Sequence, residues 1–176
     1  MPRVRVPAGF VLAALYFFYS NPSWESLLVG GSVALLGLIF RAWATGHIRK
    51  NDYLAVSGPY ALTRNPLYFG SFLIGVGFSL AGRDVKILVV FLLSFALLYG
   101  PVMQREIETL RRLFGDQYGV YQKHVPLFFP RFQMPAGLNG FSLERYLRNR
   151  EYQALLGFVT ALTVLAVKVH FLREGR

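Results

Sequence analysis

The chain has 176 residues, 54% hydrophobic and 16% aromatic, and only 16% are charged, against roughly 25% in soluble globular domains. Its net charge is +10, but the basic residues alternate with apolar spans instead of lining one face. That pattern argues against nucleic-acid binding and for positively charged membrane loops. There is no cysteine, which excludes disulfides, thiolate metal sites and cysteine nucleophiles.

Long apolar runs predict an all-helical, multi-pass membrane protein, read as one domain over residues 1–176. Arg3 and Arg5 precede a first run from Val6 to Tyr19, short for a crossing, with Asn21, Pro22 and Trp24 placed at the interface. It lacks an Ala-x-Ala-like cleavage site and reads as retained. A second span runs from about Ser26 to Trp43, and Gly30, Ala34 and Gly37 give it a small-residue face for close helix packing. Residues 44–65 form a polar loop holding His47, Arg49, Lys50, Asp52 and Arg64.

The third span starts at Pro66 and ends near Gly82, with Ser71, Gly75 and Ser79 on one face. After the turn Arg83-Asp84-Val85 a fourth span covers about Lys86–Met103, with Pro101 as a kink. No breaker follows before Gly115, so the helix leaves the membrane: Val85 to Phe114 is about 45 Å against a core of about 30 Å. Gly115 ends it, and residues 116–142 read as an aromatic-rich loop with Tyr118, Tyr121, Phe128, Phe129 and Phe132. Phe141–Arg150 reads as an interfacial helix, and Tyr152–Leu172 as a fifth span with Lys168 and His170 snorkelling near its end. Five crossings from a cytoplasmic N-terminus put loops 44–65 and 104–151 on the cytoplasmic side, where the Lys/Arg bias places them. His47, His124 and His170 show no zinc spacing, and no metal ligands are expected.

Residues 57–70, Ser-Gly-Pro-Tyr-Ala-Leu-Thr-Arg-Asn-Pro-Leu-Tyr-Phe-Gly, are the densest cluster of turn formers and aromatics. Gly58-Pro59 signals a turn. Asn65 suits a helix cap and Pro66 the first helical position. The N-terminal N–H groups of that helix then point back at Gly58, Tyr60 and Arg64, an arrangement suited to an anion.

This stretch resembles the Gly-x-Tyr…Arg-His-Pro-x-Tyr-x-Gly signature of the isoprenylcysteine carboxyl methyltransferase and phospholipid methyltransferase superfamily, with Asn65 where most members have His. A second signature of that superfamily, Glu-Glu-x-x-Leu…Phe-Gly-x-x-Tyr-x-x-Tyr…Val-Pro…Pro, is similar to residues 106–130. Glu106, Leu110, Phe114, Gly115, Tyr118, Tyr121, Val125, Pro126 and Pro130 match it, and Ile107 replaces the second Glu. The resemblance covers residues 54–130.

It implies an integral membrane enzyme using S-adenosyl-L-methionine (SAM), with a cofactor-binding core at 52–130. The implied cofactor residues are Leu54, Gly58, Tyr60, Arg64, Asn65, Pro66, Tyr68, Gly70, Glu106 and Tyr118. Arg64 and His124 are the implied catalytic residues, His124 standing where prenylcysteine enzymes have a basic residue before Val-Pro. The acceptor would be a lipid or a prenylated small molecule. Localisation would be an integral membrane, the inner membrane in a bacterium, with the site facing the cytoplasm.

Helical phase puts Glu106 inside the apolar stripe of Met103, Leu110, Leu113 and Phe114, and Glu108 opposite, among Arg105, Arg111 and Arg112. A buried carboxylate needs a partner, either the SAM ammonium or a structural cation such as Arg64. Alternatives to an isoprenylcysteine carboxyl O-methyltransferase-like activity are a phospholipid N-methyltransferase with His124 as base, an NADPH-dependent sterol-reductase-like protein, and an inactive protein of the same fold.

Overall fold

A computed structural model describes residues 15–48, 53–131 and 140–174. Residues 15–19 are helical; the rest of the expected first span, together with Arg49, Lys50, Asp52 and Phe132, lies outside the described residues. Helices α1 (Trp24–His47), α2 (Pro66–Ala81), α3 (Val85–His124), α4 (Leu143–Arg148) and α5 (Tyr152–Glu174) follow, with a 3-10 turn over Gly58–Ala61. No strand occurs among the described residues.

Three of these helices, α1, α3 and α5, are long and apolar enough to cross a membrane. Helix α2 is apolar but has only 16 residues, about 24 Å, short of the ~30 Å hydrocarbon core. The chain is thus an all-helical membrane protein, with α2 running as expected from Pro66 to the residue before Gly82.

In lipid the hydrophobic effect does not hold helices together, so packing and hydrogen bonds must. The α1–α2 pair shows how. A Cβ added at Gly30 would overlap the Gly77 carbonyl and Ala81, and one at Gly37 would overlap the Gly70 carbonyl. The backbones touch because these positions lack side chains. The small-residue face expected of the second span is therefore the seam with α2, although α2 answers with Gly70, Gly77 and Ala81. Gly75, from the expected α2 face, instead receives the Phe91 ring of α3.

The carbonyls at the C-terminal end of α2 are satisfied by side chains. Tyr16 donates to Phe78 O at 2.7 Å and Ser26 to Ala81 O at 2.9 Å. Leu27, Ala81, Leu165 and Val169 close one apolar cluster, and Ala34, Leu38 and Phe158 a second, so α5 packs along α1.

Two expectations change. The Lys168 ammonium does not reach for headgroups; it donates to the carbonyls of Phe17, Phe18 and Ser20, tying α5 to the end of the 15–19 helix. They lie at the C-terminal end of that helix, where a cation is favoured. At Gly115 the backbone does break (φ 46, ψ −120), but helix resumes to His124 in place of the expected loop. The break folds Tyr118 and Tyr121 back onto Ile107, Leu110 and Phe114. That apolar contact gives the short returning helix a reason to exist.

Overpacking a close seam costs about 1–3 kcal/mol. We expect Gly77→Leu to lower the melting temperature of detergent-purified protein markedly. Gly157→Ala, where an added Cβ meets nothing within 4 Å, should leave it unchanged or slightly higher. Equal melting temperatures for G77L and the parent would break the seam argument.

Candidate functional site

The loop before α2 and the segment after α3 are sewn together. Arg64 N donates to Pro126 O at 2.9 Å and Arg131 N to Leu62 O at 3.0 Å. Thr63 Oγ1 donates to Phe128 O at 2.9 Å, and Asn65 Nδ2 to Leu127 O at 3.0 Å. The Tyr121 hydroxyl donates to Tyr60 O at 2.6 Å. Both sequence signatures thus meet at one end of the helix bundle.

Asn65 is not the cap that its position before Pro66 suggests. Its side chain makes no capping bond; it is buried and spent on Leu127. Pro66 does open the helix, losing no bond at its first position.

A cavity of about 250 Å³ opens beside this seam, lined by Arg41, Tyr60, Arg64, Asn65, Pro66, Leu67, Tyr68, Ser71, Tyr99 and Glu106. Arg64 Nη1 donates to the Tyr118 hydroxyl at 3.2 Å, while its buried Nε has no hydrogen-bond partner. The Tyr60 hydroxyl is also buried and without a partner. Burial raises the Tyr60 pKa, and the Glu106 carboxylate adds to the effect, so its hydroxyl stays a neutral donor. Orphaned buried donors normally mark a missing acceptor. Tyr68 and Glu106 line the same cavity.

Of the residues expected at the site, Tyr60, Arg64, Asn65, Pro66, Tyr68 and Glu106 share this cavity, and Tyr118 supports Arg64 from beneath, fully buried. Leu54 packs instead on the Ile107–Tyr118–Tyr121 cluster. Gly58, at φ +58, rests on the His47 ring, where any side chain would clash. Gly70 faces Arg41 and Gly37 in the α1–α2 seam. His124 is exposed, with Nδ1 on Val120 O at 2.9 Å, and does not line the cavity.

Helical phase also needs correction. The buried stripe is Ile107 with Leu110 and Phe114, and Glu106 is exposed beside it at the cavity. One residue, 100° of rotation, moves the carboxylate from the packed face to an open one. Glu108 is exposed and pairs loosely with Arg112, at 3.9 Å.

Sequence reasoning missed Arg41. Its Nε and Nη2 hold both oxygens of buried Glu151, at 2.6 and 3.0 Å, and Thr45 adds a bond at 3.3 Å. Arg41 Nη1 donates to Ser71 Oγ at 2.5 Å, on the cavity side. An arginine within an apolar span is costly, and that cost was the available signal.

A family model described as phospholipid methyltransferase matches residues 25–117, more than half of the chain. The chain belongs to the phospholipid methyltransferase family. Among its relatives are two proteins named for metal resistance and one methyltransferase. It is 34% identical over 142 residues to the cobalt-zinc-cadmium resistance protein CzcN of Cupriavidus metallidurans, over 76% of this chain and 64% of that one. It is 30% identical over 139 residues to the nickel-cobalt-cadmium resistance protein NccN of Alcaligenes xylosoxydans xylosoxydans, over 74% and 64%. It is 26% identical over 132 residues to a protein-S-isoprenylcysteine O-methyltransferase of Schizosaccharomyces pombe, over 72% and 56%. The match therefore spans 64% of each of the first two relatives. No solved structure matches.

For this phospholipid methyltransferase family member the Arg41–Glu151 pair offers a clean test. Removing one partner of a buried ion pair costs about 3–5 kcal/mol, whereas replacing both with apolar residues is often neutral. Thermal melts should show Arg41→Met and Glu151→Leu each strongly destabilised and the double variant substantially recovered. Additive losses would mean that the two side chains act independently.

Proposed function

We propose that the chain is a SAM-dependent methyltransferase acting on a lipophilic acceptor at the membrane, through the Arg64–Glu106 cavity. The observation that carries this reading is one cavity holding a cation with an orphaned N–H, an orphaned tyrosine hydroxyl, a helix N-terminus and an accessible carboxylate. An amino acid end needs that set: donors for a carboxylate, and an acceptor for an ammonium.

SAM supplies a methyl group on a sulfonium sulfur. Arg64 and the Tyr60 hydroxyl would hold its carboxylate, helped by the unpaired N–H groups of α2. Glu106 would take its ammonium. The rings of Tyr60, Tyr68 and Tyr99 line the same space and suit a sulfonium through cation–π attraction. Methyl transfer is an in-line displacement that needs alignment more than proton chemistry. A carboxylate acceptor is already a nucleophile and needs no base. The distance of His124 from the cavity favours such an acceptor over an amine. Arg41, on the α1 wall, would meet its negative charge.

The single-domain organisation with its core at 52–130, the cytoplasmic orientation and the inner-membrane location belong to the same proposal. So does the methylation of a lipid or prenylated molecule, which the similarity to the S. pombe isoprenylcysteine methyltransferase supports. The resistance names of the other two relatives concern metals, and no group of three or more His, Asp or Glu able to hold a metal converges among the described residues.

Glu106→Gln removes a charge-assisted hydrogen bond worth about 1–2 kcal/mol at an accessible site, so SAM affinity should fall about five- to thirtyfold in calorimetric titration. Glu108→Gln removes only its exposed helix pairing, at most about 0.5 kcal/mol, and should bind SAM as the parent does. NADPH should show no binding. Full affinity in E106Q, or NADPH binding without SAM binding, would overturn the assignment.

A further inference from the structure

Arg41 reaches the cavity by a route that other residues keep open. It stands on α1, and a Cβ on Gly70 of α2 would fall 2.4 Å from its Cγ. A side chain at position 70 would block the arginine stem. This glycine of the first signature lets a guanidinium cross the α1–α2 seam.

Once across, the guanidinium is held from behind. Glu151 is outside the cavity lining, and its side chain is 7% exposed against 24% for that of Arg41. Both Glu151 oxygens accept from Arg41, and Thr45 donates to one of them. The chain turns sharply to put Glu151 there. Helix α4 closes with Arg150 N–H on Leu147 O at 3.0 Å and Glu151 N–H on Tyr146 O at 3.3 Å. Glycine normally takes the left-handed position of this closing pattern. Here Arg150 takes it, at φ 55. A left-handed arginine persists only where its surroundings hold it, and the buried Arg41–Glu151 pair is next to it.

A guanidinium has five N–H groups. Two go to Glu151, one to Ser71 and one to Leu67 O at a long 3.5 Å. An Nη2 N–H remains unspent among the described residues, on a side chain that lines the cavity. Charge points the same way. The lining carries Arg41, Arg64 and Glu106, and Glu151 behind them brings the sum to zero. SAM adds one net positive charge, its sulfonium. An anionic acceptor cancels that charge and an amine does not, which matters where water is scarce.

We propose that the cavity is two half-sites: Arg64 and Glu106 for SAM, and Arg41 for the anionic group of the acceptor. Glu151 and Gly70 are positioning residues for Arg41. The inference rests on reading this cavity as the SAM site. In the transfer one carboxylate oxygen bonds the methyl carbon, and the C–S bond breaks with its electron pair left on sulfur. No proton moves. The neutral ester no longer holds Arg41, which favours its release.

Calorimetry on the detergent-purified full chain tests this. First S-adenosylhomocysteine is titrated; then, at saturation, S-farnesyl-N-acetylcysteine is compared with its primary carboxamide. The parent should prefer the acid by about tenfold or more, as one charge-assisted hydrogen bond provides. The ratio of the two affinities does not depend on how much protein is folded. Arg41→Met/Glu151→Leu should bind S-adenosylhomocysteine as the parent does and lose the preference for the acid. Arg41→Gln/Glu151→Gln serves if that pair does not fold. Glu151→Asp keeps the charge but withdraws it by one methylene, and should lower the preference about threefold or more. If the parent does not bind S-adenosylhomocysteine, the reading of the cavity falls and this inference with it. If it binds, but acid and amide bind equally or not at all, the inference alone is overturned. The same holds if either double variant keeps the parent's preference, or if E151D does.

Discussion

Everything at the candidate site depends on the seam between residues 62–65 and 126–131. The segments are about sixty residues apart in the chain, and backbone amides, Thr63 and Asn65 join them. These donors and acceptors are buried or half-buried, so leaving one unpaired costs about 1–3 kcal/mol. The seam closes the loop formed by α2 and α3. It thereby fixes Arg64 against Tyr118 and brings Glu106, forty-two residues later, to the same cavity. Without it Arg64 is a loop arginine.

A second constraint works from the opposite wall. Arg41 ties α1 to Glu151, at the start of α5, and to Ser71 of α2. Charges taken out of water seldom stabilise a fold by themselves. Here the geometry satisfies both Glu151 oxygens and leaves the guanidinium at the edge of a cavity. The pair is better understood as positioning a cation than as glue, since the glycine seam between α1 and α2 already holds those helices in contact.

The departures from the family pattern now have different weights. Asn65, in place of His, donates to Leu127 and so belongs to the seam. Ile107, in place of a second Glu, is the buried centre of the packing that folds the 116–124 helix back. A carboxylate there would be buried against Tyr118 and Tyr121, at a steep desolvation cost. Both departures suit the packing around them.

The helical class, the helix limits near Pro66 and Asp84, the break at Gly115 and the two signatures were all legible in the sequence. Each rests on local rules: apolar run length, proline and glycine stereochemistry, and residue spacing. Local rules also misled. They made Asn65 a cap, Lys168 a snorkelling cation and 116–124 a loop, because each has a local role that a distant partner outbids. Helical phase left Glu106 one position off, since periodicity gives a stripe of finite width and only packing chooses its centre. Arg41 and Glu151 were invisible as a pair, and His124 stood outside the cavity despite its place in the motif. Composition and spacing by themselves determined what kind of chain this is and which segments carry its chemistry. Which side chains share one cavity was decided only by tertiary structure, because hydrogen bonds and ion pairs between residues about sixty to more than a hundred positions apart are set by helix packing and leave no periodic trace.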